Sequence, residues 1–285
     1  MSSAVRTASP RRRHRSAGRV PWRWLALLLG ALVMLFPLYW MLVTALSDTA
    51  AVTSGPLRLW PESASLAAFR RAFELLPFGQ FFVNSAAIAV VAMLLSVSLN
   101  LVAGYVLAKY RFRGRQVVFV LVLSTLMIPV QVVMVPQFQL VAGLGWVDSY
   151  WAVIVPRAAE AFGIFLCRQF MLGLPDEVLE AARLDGAGHL RVFWSVVLPM
   201  SRPLIAVLVI LTFMYRWNEF AWPLIVLNDQ RLFTVPIGLA FLQGQYGTDY
   251  PALMGMALLT TLPVVVVFAL FQRQFVEGVA RSGLR

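Results

Sequence analysis

The sequence predicts an all-α membrane protein with six transmembrane helices and both termini cytoplasmic. Three observations lead there: a composition too apolar for water, six apolar runs of spanning length, and a strong sidedness of arginine and lysine. Of the 285 residues, 60% are hydrophobic and 13% charged, and the mean hydropathy is +0.77. A soluble domain carries about a quarter of its residues as charges. Half that coverage leaves lipid as the solvent for most of the chain.

The runs lie near residues 22–46, 82–108, 117–142, 150–170, 203–227 and 252–274. Each reaches the roughly 20 helical residues that cross about 30 Å of hydrocarbon, where a helix satisfies its own backbone polar groups. The first follows a leader, residues 1–21, rich in arginine (Arg11, Arg12, Arg13, Arg15, Arg19), and it opens on Trp22 and Trp24, residues suited to the membrane interface. A cleaved signal peptide has an apolar core of about 7–15 residues. This run is longer and bulky throughout, so a retained anchor is expected, with the leader disordered against anionic headgroups. Residues 22–81 form the first unit, a helix and an external loop carrying Gly55, Pro56, Trp60 and Pro61 and a short helix over Ser65–Leu75. Residues 82–274 form the transmembrane core and 275–285 a cytoplasmic tail.

The third run holds Gln131, Gln137 and Gln139 near Pro129 and Pro136. Irregular backbone at membrane depth is tolerated where it faces protein or a cavity, which makes Gln131 and Gln137 candidates for a translocation path. Ordinary kinks with hydrogen bonds between helices are the other reading. In the fifth run Arg216, Trp217, Asn218 and Glu219 are consecutive. Asn218 and Glu219 could line the same path and bond a polar solute. The i,i+3 spacing of Arg216 and Glu219 favours instead an ion pair that holds the span to its neighbours.

Orientation follows from the cations. With the N-terminus cytoplasmic, the inner pieces hold seven up to Arg23 at the edge of the first run, four in Lys109–Arg115, four across Arg168–Arg202 and three at the C-terminus. The outer pieces hold four, Arg58, Arg70, Arg71 and Arg231, while Arg157 and Arg216 fall within spans. Eighteen against four is a clear positive-inside signature. The net charge of +11 therefore reports topology, since the arginines do not form the stripe of a nucleic-acid face. Cys167, His14 and His189 have no metal-ligand spacing. A phosphate loop, a nucleophile elbow and a zinc-protease motif are all missing, and Glu160, Glu219 and Arg157 read as scattered in sequence. The chain is expected to be non-catalytic, with no cofactor of its own.

The most informative stretch is the connection 175–203, PDEVLEAARLDGAGHLRVFWSVVLPMSRP. Pro175 opens a helix whose positive end suits Asp176 and Glu177. Leu179, Ala182 and Leu184 offer an apolar face, Gly186 and Gly188 break the segment, and Leu190, Phe193, Trp194 and Val197 form a second amphipathic stretch ended by Leu198-Pro199. This is a helix–turn–helix too polar to span. It either lies in the headgroups or presents a docking surface.

Glu180-Ala181-Ala182, Asp185-Gly186 and Leu198-Pro199, at this spacing, resemble the EAA loop of ABC-importer membrane subunits. Further strings resemble the carbohydrate-uptake branch, of the maltose-type G subunit kind: Asn84-Ser85, Tyr105 with Lys109, Arg111-Phe112-Arg113-Gly114, Ile128-Pro129, Trp217-Asn218-Glu219-Phe220 and Gln272-Arg273. The ending Arg281-Ser282-Gly283-Leu284-Arg285 departs from that family's small-residue and Lys-Gly tail. The resemblance implies a type I ABC importer permease fold in a prokaryotic inner membrane. It implies coupling helices at 175–203 that dock on a separate ATP-binding dimer, which holds the ATP and Mg. It also implies a homologous second permease and an external solute-binding protein met by Gln243, Gly244, Gln245 and Tyr246. A self-sufficient secondary transporter is the alternative; it predicts inverted repeats and mid-membrane coupling charges, which the sequence does not display.

Overall fold

The computed structural model describes residues 20–54, 59–244 and 247–282. The leader up to residue 19, and Gln245 and Tyr246 of the loop, lie outside the described residues. The chain is helical almost throughout. In order it forms α1 (Val20–Leu46), α2 (Thr49–Ser54), α3 (Ala67–Leu75), α4 (Phe78–Lys109), α5 (Arg115–Ser124), α6 (Val130–Gly143), α7 (Tyr150–Ile154) and α8 (Ala161–Leu172). It continues with α9 (Asp176–Leu184), α10 (His189–Val192), α11 (Leu198–Met200), α12 (Arg202–Trp217), α13 (Ala221–Val226), α14 (Val235–Phe241) and α15 (Tyr250–Ser282). Among the described residues the one sheet is a two-residue pairing of Gln243–Gly244 (β1) with Gly247–Thr248 (β2).

Three helices are long and apolar enough to cross a membrane unaided: α1 over Trp24–Leu46, α4, and α15 over Tyr250–Arg273. Three more candidates are bent pairs. Arg115–Met127 and Val130–Gly143 meet at 104°, Tyr150–Arg157 and Ala161–Leu172 at 43°, and His189–Met200 and Arg202–Trp217 at 79°. The first bend follows from Pro129, which forces Ile128 into extended backbone (ψ 116) and caps the next helix. Pro136, the other expected break, stays inside α6.

One expectation changes. The fifth run was expected to be helical to residue 227, but α12 stops at Trp217. Both the backbone N–H and the side-chain amide of Asn218 donate to the Met214 carbonyl, at 3.2 and 2.8 Å, capping the helix end. At the other end of the chain α15 runs on to Ser282, through the segment expected as the tail.

The core is built around α4, which packs along α8 and α12. Close approach to α8 depends on small residues. A Cβ on Gly104 would fall 2.2 Å from Cys167 Cβ, and one on Gly163 would fall 2.1 Å from the Asn100 amide nitrogen. One apolar cluster gathers Phe78, Phe81, Trp222, Val235, Ile237 and Met256 at the N-terminal end of α4. A second gathers Tyr105, Met171, Leu179, Val192, Phe193 and Val197 at its basic C-terminal end. By contrast α1, from Trp24 to Phe36, leaves its large apolar side chains uncovered, as a lipid-facing helix does.

Candidate functional site

At the basic end, the loop 175–203 folds as two arms. Pro175 precedes α9, Asp176 and Glu177 occupy its first turn, and Arg183 its last, a charge order that suits the helix dipole. Gly186 then adopts φ +83°, a left-handed turn that a side chain would strain. The second arm runs through α10, a π-helical turn over Phe193–Val197, and α11. Leu198-Pro199 was expected to end this arm. The wide turn bonds Leu198 N–H to the carbonyl of Phe193, and the helix passes through Pro199 to Met200. A proline with no N–H fits there because it opens the following helical turn.

The loop's two faces are sharply different. Leu179, Val192, Phe193 and Val197 are buried, and Ala182 and Leu198 pack against the same cluster. Glu180, Ala181, Asp185, Gly186 and Pro199 are exposed. With them stand Leu184, Leu190 and Trp194, at 89%, 77% and 65% exposure. Leu184 was expected on the inner face with Leu179 and Ala182. A helix advances about 100° per residue, which places it roughly 140° from Leu179 and well off that face.

The loop is fastened to α4. The buried ammonium of Lys109 donates to the Leu174 carbonyl at 2.7 Å and to Asp176 Oδ1 at 2.6 Å. The bond from Lys109 holds the Asp176 carboxyl below its ordinary range. Tyr110 Oη lies 3.0 Å from His189 Nδ1, and the Tyr105 ring packs on Phe193 at 5.2 Å.

Deep in the bundle, four charges meet that looked scattered in sequence. Arg216 Nη2 lies 2.6 Å from Glu160 Oε1 and its Nη1 lies 3.3 Å from Glu219 Oε2, while Arg157 Nη1 lies 2.7 Å from Glu219 Oε1. Arg216 also donates to the Arg157 carbonyl. The Arg216–Glu219 pair expected from i,i+3 spacing is present. The reading of Glu160, Glu219 and Arg157 as scattered is corrected: the breaks after α7 and after α12 bring them to one point. Two cations against two anions leave the group neutral, the condition under which buried charge is tolerable. The signal available beforehand was that Arg157 and Glu160 share one apolar run and Arg216 and Glu219 share another.

Beside this group lies a cavity of about 740 Å³. Gln137, Arg157, Glu160, Thr212 and Tyr215 supply its polar wall, and Ile128, Val133, Phe162 and Leu208 are among its apolar lining. Of the residues proposed for a path, Gln137 lines this cavity and Glu219 sits behind it in the ion group. Gln131 is exposed on α6, and Asn218 is exposed at the end of α12 with its amide on Met214. Gln243 and Gly244 are exposed in β1. No group of three or more His, Cys, Asp or Glu suited to a metal exists among the described residues.

At the opposite end, Asn84 ties several segments together. Its amide donates to the carbonyls of Arg231 and Phe233, at 2.8 and 2.9 Å, and its oxygen accepts from Tyr150 Oη and Gln80 Nε2. Ser85 Oγ accepts from Val235 N–H at 2.8 Å.

Comparison with known proteins gives the family of this helical bundle. Residues 100–280 match the model of the binding-protein-dependent transport system inner membrane component, and the chain belongs to that family. Over 205 residues it is 42% identical to the arabinooligosaccharides transport system permease protein AraQ of Halalkalibacterium halodurans, covering 72% of this chain and 74% of that one. It is 36% identical to the sn-glycerol-3-phosphate transport system permease protein UgpE of Yersinia pestis, over 90% of this chain and 94% of that one. A crystal structure of a bacterial ABC transporter involved in the import of the acidic polysaccharide alginate contains a chain that superposes with a TM-score of 0.78 at 26% identity, covering 89% of this chain and 96% of that one.

Proposed function

We propose that this chain is one permease subunit of an ATP-driven importer for a sugar or related polar solute, and that the loop 175–203 couples ATP hydrolysis to transport. The observation that carries the proposal is the loop's division into a buried anchoring face and an exposed face. The exposed face sets Leu184, Leu190 and Trp194 beside Glu180, Ala181, Asp185 and Gly186. Large apolar side chains held rigidly in the open mark a docking surface. In this reading the basic end is cytoplasmic, as the positive-inside bias requires, and the three bent pairs complete six spans. A separate ATP-binding dimer docks on the exposed face and holds the ATP and Mg, with Leu198 and Pro199 fixing the angle of the second arm.

A second permease subunit closes the cavity beside Gln137 into a path, and the neutral ion group containing Glu219 braces its wall. Gln131 and Asn218, exposed on the same bundle, are the further path candidates once that subunit is in place. The segment around Gln243–Tyr246 faces an external solute-binding protein. The sugar class is supported by the arabinooligosaccharide and alginate systems among the relatives. The test is co-purification of the ATP-binding subunit with the wild-type chain, Glu180→Lys and Gly186→Pro, followed by uptake. Loss of both in the variants, with membrane insertion intact, is expected. ATP-independent uptake by the isolated chain in liposomes would refute the proposal.

A further inference from the structure

We infer that α4 is a rigid strut which ties the ATPase-docking loop to the segment facing the solute-binding protein, with Lys109 and Asn84-Ser85 as its two end clamps. The inference rests on the function proposed above and adds a route by which the two partners sense each other.

Continuity is the first ground. Among the described spans, α4 is the one long helix with neither a break nor a proline. Pro37 lies inside α1, Pro263 lies inside α15, and the other three candidates are bent by 43° to 104°. A helix without such defects bends only gently. From Asn84 to Lys109 it spans roughly 38 Å at 1.5 Å per residue, so a displacement at one end is delivered at the other.

The second ground is how the ends are fixed. Three points at the end of α4, the last of them Tyr110 just beyond the helix, hold three points of the loop. Lys109 holds Leu174 and Asp176 where the first arm starts, Tyr110 meets His189 where the second arm starts, and Tyr105 packs on Phe193 in the π turn. At the other end, Asn84 and Ser85 bond the backbone of Arg231, Phe233 and Val235. Those residues lead into α14, which packs so closely on α4 that a Cβ on Gly238 would fall 2.5 Å from the Phe81 ring. From α14 the chain enters β1 directly. Backbone atoms are held at both ends, so the clamps grip segments and not single side chains. Lys109 is thus a positioning residue, and its bonds give the strut its purchase on the loop.

The test uses the assembled importer in proteoliposomes: this chain, the second permease, the ATPase and the solute-binding protein. ATP hydrolysis is read with and without ligand-loaded binding protein. Lys109→Met is expected to cut the stimulation roughly fivefold or more, the low end of ordinary coupling between distant sites, while Lys109→Arg restores most of it. Ser85→Ala, at the other end, is expected to cut it as well. Two breaks in one strut do no more than one, so the double variant should match the weaker single variant. Should Lys109→Met fail to assemble, Tyr110→Phe replaces it and removes only the bond to His189. Unchanged stimulation in the single variants, or losses that multiply in the double variant, would overturn the strut. A wild-type importer whose ATPase ignores the binding protein would instead overturn the functional reading beneath it.

Discussion

Arg216 and Glu160 meet at 2.6 Å across two breaks in the helical scaffold, the one that follows α7 and the one that ends α12. The pair explains why both breaks persist in an apolar setting. Each places a charge where its counter-charge waits, and Arg157 and Glu219 complete the set.

Removing one member should therefore cost far more than losing one contact. Arg216→Met leaves two carboxylates facing a single guanidinium, and breaking a buried pair this way costs about 3–5 kcal/mol. The double variant Arg216→Met, Glu219→Gln restores the charge balance and should recover part of that loss. Thermal unfolding in detergent measures both, and equal or greater loss in the double variant would contradict the neutral-group account.

Packing of α4 on α8 predicts a second set of effects. Gly104→Ala places a methyl 2.2 Å from Cys167 Cβ and 2.9 Å from the Arg168 backbone nitrogen, so the helices must part. Overpacking of this kind costs about 1–3 kcal/mol. Gly79→Ala is the control: its Cβ meets nothing within 4 Å, and the better helix former should be neutral or slightly stabilising. The difference between their unfolding midpoints is the measurement.

Trp194 separates docking from folding. It is 65% exposed, so Trp194→Glu should leave the unfolding midpoint within about 0.5 kcal/mol of wild type while sharply reducing capture of the ATP-binding subunit. A variant that binds normally would remove Trp194 from the docking face.

Acid should loosen the far end of the bundle. Burial raises the Asp249 pKa, but the hydrogen bond from Arg71, helped by the Ala252 N–H, outweighs it and holds the carboxyl below its ordinary range. The folded state thus has the lower pKa. The stabilisation is complete above the unfolded aspartate value of about 4 and is lost as pH falls through the folded one. Hydrogen exchange at α3 and at the start of α15 should accelerate in that window. Asp249→Asn should remove the pH dependence.

Much of this was legible in the sequence, for reasons that differ by residue. The long spans showed because hydropathy sums over many residues, and the bend at Ile128-Pro129 showed because proline restricts its predecessor. The Arg216–Glu219 pair was readable because its spacing is local. Arg157 and Glu160 were not, since their partners lie on a distant helix and no local pattern fixes how two broken spans are set against each other. The stop at Trp217 was masked by the apolar run Ala221–Val226 that follows. Leu184 was misplaced because its five-residue separation from Leu179 is not a same-face spacing on a helix.

The π turn at Phe193–Val197 makes the direction of the second arm tolerant of a change in its length. It accommodates one residue more than an α-helical turn would, so deleting Ser195 would let the wide turn relax to an α-helical one and leave everything after it at nearly the same azimuth. Pro199 and the entry of α12 would keep their bearing. A single-residue deletion here is absorbed where it is made, and a member of the family differing by that one residue would transmit the same push along the same bearing.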